Sequence, residues 1–149
     1  MNRPTAKMRD FAQGLVAREA RRNKSSGTKA ALVFGAVVDK LRQPLIILAG
    51  GQVFRALLTR ALALAIDEVR PLRGVRVQSD GSLECPAEMT RLDQKEIAHV
   101  EAVLITQLLG LLLTFIGEAL TLRLLKDVWP GAPVHDFKFR KVDSKQEET

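Results

Sequence analysis

The chain has no tyrosine, one tryptophan, one cysteine and two histidines among its 149 residues. With so few aromatic rings it lacks the stacking platform that single-stranded nucleic acids need. The lone cysteine, Cys85, cannot form an intrachain disulfide, so nothing points to an oxidising compartment. Gly50-Gly51 lacks the glycine spacing and the lysine of a phosphate-cradling loop and reads as a helix break. The N-terminus is not a secretory signal, because Asp10, Gln13, Arg18 and Glu19 interrupt the apolar run that such a signal requires. It is basic and amphipathic, as organellar transit peptides are, but Asp10 and Glu19 count against that class.

What is present is an aliphatic, globular composition: 46% hydrophobic and 27% charged residues. A chain of this length buries enough surface to fold around one core without a metal or a disulfide. The net charge of +6 is unevenly placed. Arg3, Lys7, Arg9, Arg18, Arg21, Arg22, Lys24 and Lys29 face only Asp10 and Glu19 in residues 1–30, so this segment holds the whole surplus and the rest of the chain is neutral. An anionic partner, nucleic acid or membrane surface, is therefore attracted through residues 1–30, with Arg9, Arg18, Arg21, Arg22 and Lys24 as the candidate contacts.

Residues 5–24 predict an amphipathic helix, with Met8, Phe11, Ala12, Leu15 and Val16 on one face. That stripe has three possible covers: the protein's own core or a partner helix, an anionic membrane, or nothing if the arginines lie on phosphates. Thr28 is a candidate N-cap for a helix over 29–42, which Pro44 is expected to stop. Leu45–Ala49 reads as a short apolar piece, and residues 52–69 as a helix with a wide apolar face. Val75-Arg76-Val77-Gln78 alternates and Asp80-Gly81 is a tight-turn pair, which predicts a β-hairpin over 75–84. Asp93 and Glu96 have the spacing of a capping box at the start of a helix running to about Val128, with Gly110 and Gly117 as candidate bends. Phe137 and Phe139 alternate with charged residues as in a short strand, and residues 143–149 form a polar tail. The expected fold is mainly α: a helical bundle of four to five helices with one short β-hairpin. Its organisation is a basic arm (1–30), a helical core domain (31–135) and a polar tail (136–149).

Ala102–Gly117 carries no charge, and Glu101 and Glu118 fence this run just short of the ~20 residues that span a bilayer. Extending it to Leu125 places Glu118 and Arg123 in or near hydrocarbon at about 2.5–3.5 kcal/mol each. The run therefore reads first as the central helix of a bundle, apolar all round because neighbours surround it, and second as a membrane-associating segment. Leu108, Leu112, Phe115, Ala119 and Leu122 are its candidate core or self-association positions.

Catalytic signals are thin. Glu96-x-x-His99 matches one element of carboxylate-bridged di-iron bundles, but those need two copies and two further glutamates. The only other histidine is His135, so Glu96 and His99 read as a solvated helix start. Cys85 has no histidine near it in sequence and reads as a structural cysteine. No cofactor or metal is expected.

The stretch Gln107–Leu125, ending in Trp129-Pro130, resembles uncharacterised bacterial hypothetical proteins, as do residues 54–64 and the Asp80-Gly81-Ser82-Leu83 turn. The likeness covers about half the chain. It implies a bacterial, cytoplasmic origin and carries no activity with it. The expectation is a non-enzymatic binding or assembly subunit, taking a protein partner or a second copy of itself. Membrane association and nucleic-acid association are the alternatives.

Overall fold

The computed structural model describes residues 6–25 and 35–131. Four helices pack together with one small antiparallel hairpin: α1 (Ala6–Ser25), α2 (Ala36–Ala49), α3 (Gly51–Ile66), β1 (Arg76–Val77), β2 (Leu83–Glu84) and α4 (Gln94–Val128). Thr28, His135, Phe137, Phe139 and the tail 143–149 lie outside the described residues.

α1 forms because its apolar side chains recur at helical spacing, and that spacing decides what it buries. Met8, Phe11, Ala12, Leu15 and Val16 are all buried, chiefly against α4. Residues 6–25 are therefore a docked element of the bundle and not a free arm.

α2 departs from expectation. The predicted stop at Pro44 is not observed; the helix runs through it to Ala49, absorbing the apolar piece Leu45–Ala49. A proline inside a helix costs about 3 kcal/mol through its missing N–H and its ring clash. Val37, Val38, Leu41 and Leu45 form one buried stripe on both sides of that proline. Burying side chains of this size stabilises by about 1.5–3 kcal/mol each, which outweighs the local penalty. The actual stop is Gly50, whose φ of 97° suits glycine, and α3 begins immediately after it.

α3 presents Phe54, Leu58, Ala61, Leu62 and Ala65 to the core. The hairpin pairs Arg76 with Glu84 and Val77 with Leu83. Asp80 holds the turn, its Oδ1 accepting from the Ser82 N–H at 2.9 Å and the Ser82 hydroxyl at 2.6 Å. Gly81 (φ 88°) lies against Phe54, so close that a Cβ there would be 2.8 Å from the ring. The two-stranded unit, marginal alone, thus leans on α3.

α4 starts with the reciprocal capping box: Glu96 N–H donates to Asp93 Oδ1 at 2.8 Å and Asp93 N–H to Glu96 Oε1 at 3.0 Å. Gly110 does not bend the helix, whereas Gly117, at φ 89° and ψ 166°, breaks it into two arms. The arms are not collinear. The Trp129 indole N–H donates to Glu19 Oε2 at 2.9 Å, and Lys40 Nζ is 3.5 Å from the same oxygen. Lys40 is one turn along α2 from Val37, whose N–H is bound by Glu101. A straight helix would place residues 101 and 129 about 42 Å apart; these contacts bring them far closer, so the second arm turns back along the bundle. Thr106 and Thr121, buried in this apolar element, satisfy their hydroxyls on Ala102 and Gly117 carbonyls at 2.7 Å.

Candidate functional site

Of the five basic positions, two are engaged with the body of the protein. Arg9 is held by a two-pronged pair with Glu68, Nη1 to Oε2 at 2.9 Å and Nη2 to Oε1 at 3.0 Å. Arg18 Nη2 donates to the Gly131 carbonyl at 2.7 Å, tying α1 to the end of α4. Arg21 is exposed. The side chains of Arg22 and Lys24 lie outside the described residues. Two of the candidate anion contacts are therefore engaged in holding α1 to the body, a use that sequence spacing cannot reveal because each partner is more than fifty residues away.

The apolar positions on α4 also divide. Leu108 and Leu112 are fully buried and Leu122 half-buried, whereas Ala119 is exposed and Phe115 is 54% exposed. Leu120 is 43% exposed, and Ile47 and Leu48 near the end of α2 are 83% and 46% exposed. These four large apolar side chains keep from 43% to 83% of their surface in water in the single chain.

Polar groups converge at one place inside the bundle. Glu101 is completely buried on the stripe Ile97, Glu101, Leu104, Leu108, whose 4-3-4 spacing is the signal that marks it as core-facing rather than as a fence. Its Oε2 accepts from the Val37 N–H at 3.0 Å, while Oε1 has no partner. Val37 belongs to the first turn of α2, whose N-cap Gly35 supplies no side-chain bond. A carboxylate from α4 therefore does what a capping residue does elsewhere, next to the positive end of the α2 dipole. Desolvation pushes its pKa up to about 7; the backbone at Val37 and Gly35 opposes the rise, and the charges of Asp39 and Glu19 add to it. Beside it, Glu19 is buried between Lys40 and the Trp129 indole.

The other sequence candidates, Glu96, His99 and Cys85, are exposed. Glu96 is engaged in its capping box, and His99 beside it is exposed. Cys85 is exposed, with its thiol pKa raised by partial burial and then by the Glu101 charge, the opposite of activation for nucleophilic attack. Among the described residues no group of three or more His, Cys, Asp or Glu side chains is placed to hold a metal. An open groove of about 610 Å³ between α3 and the hairpin is lined by Arg55, Thr59, Arg60, Val77 and Gln78 among others. Arg55 spends one N–H on the Ser79 carbonyl at 2.9 Å, and the lining contains neither a carboxylate nor a histidine for acid–base work. Comparison with protein-family models, with curated proteins and with solved structures finds no match to this chain.

Proposed function

We propose that this chain is a non-catalytic assembly subunit that joins a second copy of itself through the apolar surface where α4 reverses. The carrying observation is the exposure of Phe115 and Leu120 within a segment, Leu113–Leu120, that contains no buried residue. Removing such side chains from water is worth about 25 cal/mol per Å² of apolar area, and a second copy supplies a matching apolar surface by symmetry. Light scattering over a concentration series tests this. The wild-type chain is expected to exceed its monomer mass, and Phe115→Glu with Leu120→Glu to return it to monomer. A wild-type monomer at every concentration defeats the proposal.

A second reading, membrane association, has its own observation. α4 is long and apolar enough to cross a bilayer by length and composition, although 67% of its most apolar window is buried inside the protein. Flotation with anionic liposomes distinguishes the two: assembly in buffer with all protein left at the bottom of the gradient favours the first, and co-flotation the second.

A further inference from the structure

We propose that Glu101 is a proton-operated latch between α4 and the first turn of α2. Three observations converge. The carboxyl is fully buried and bridges two helices across 64 residues of sequence. Its acceptor oxygen Oε2 supplies the cap that Gly35 cannot, so the seating of α2 depends on it. Its other oxygen, Oε1, has no partner, which suits a site that carries a proton in one state and not in the other.

The charged surroundings set the direction. From α1 comes Glu19 and from α2 Asp39, both acidic, and Cys85 after β2 feels the Glu101 charge in turn. Lys40 on α2 is committed to Glu19 at 3.5 Å. α3 contributes only apolar side chains to the core. When neutral, Glu101 sits among these groups with Oε2 still accepting from Val37. Loss of its proton to solvent leaves a buried anion that faces two further carboxylates, and the backbone at Val37 and Gly35 offsets only part of the desolvation. Water entering at the α2 N-terminus relieves it, and the first turn of α2 loosens.

A carboxyl-carbon NMR titration of the full chain, paired with hydrogen exchange at the Val37 and Val38 amides, tests the latch. The Glu101 carboxyl is expected to titrate near neutral pH. The protection of both amides, corrected for intrinsic exchange, is expected to fall about tenfold between pH 6 and 8, as a closed-state pKa of about 7 against an open-state value of 4.5 requires. Glu101→Gln, which keeps size and an acceptor, should hold protection constant. Asp39→Asn, at an exposed position, should lower the Glu101 midpoint in a chain that folds normally. A Glu101 midpoint in the ordinary carboxylate range, or an equal loss of protection in Glu101→Gln, overturns the proposal.

Discussion

From Val100 to Thr106 every residue of α4 is buried, whereas from Leu113 to Leu120 none is. Both stretches are apolar in composition, and a sliding average of hydropathy runs through both without interruption. The difference lies in what surrounds them. The first is enclosed by α1, α2 and α3, and the second surrounds the glycine where the chain turns back. Leucine content fixes how much a helix gains from being covered, and topology decides whether anything covers it.

Substitutions on the two stretches separate these contributions. Leu108→Ala removes a fully buried side chain and should cost about 2–5 kcal/mol in urea unfolding, while the same truncation of Phe115, half-exposed in the single chain, should cost about 1 kcal/mol. Equal losses at the two positions would erase the contrast. The buried stretch also carries the proton linkage. Because the folded-state pKa of Glu101 is raised from 4.5 to about 7, the folded chain keeps a proton that the unfolded chain has already released. This contribution to stability is complete below pH 4.5, is lost as pH rises to 7, and is level above it, a decline of ~3 kcal/mol that Glu101→Gln should abolish. A smaller effect belongs to the reversal itself. Gly117→Ala places a side chain at φ 89° and should cost about 1–2 kcal/mol by thermal unfolding, although space for the Cβ is open.

Much of the fold was legible in local patterns. The α1 stripe from Met8 to Val16, the Asp93–Glu96 box and the Asp80-Gly81 turn each rest on neighbours within a few residues, where spacing alone dictates geometry. The failures share a cause. Pro44 stays in a helix because Leu41 and Leu45 find partners on other elements, and a local penalty says nothing of that. Arg9 and Arg18 read as free cations because Glu68 and Gly131 are far away in sequence. Glu101 reads as the fence of an apolar run on charge alone, and its core-facing place follows only from helical register. Of the candidate site, the exposure of Phe115 was the least legible, since Gly117 permits a reversal without specifying one.

The turn-back of α4 is the claim on which both the buried core and the exposed surface depend. It can be measured directly by spin-label distances between His99→Cys and Lys126→Cys, both exposed, in a Cys85→Ser background in detergent-free buffer. The account predicts a separation well below 30 Å; a distance of about 40 Å, that of one continuous helix, would contradict it.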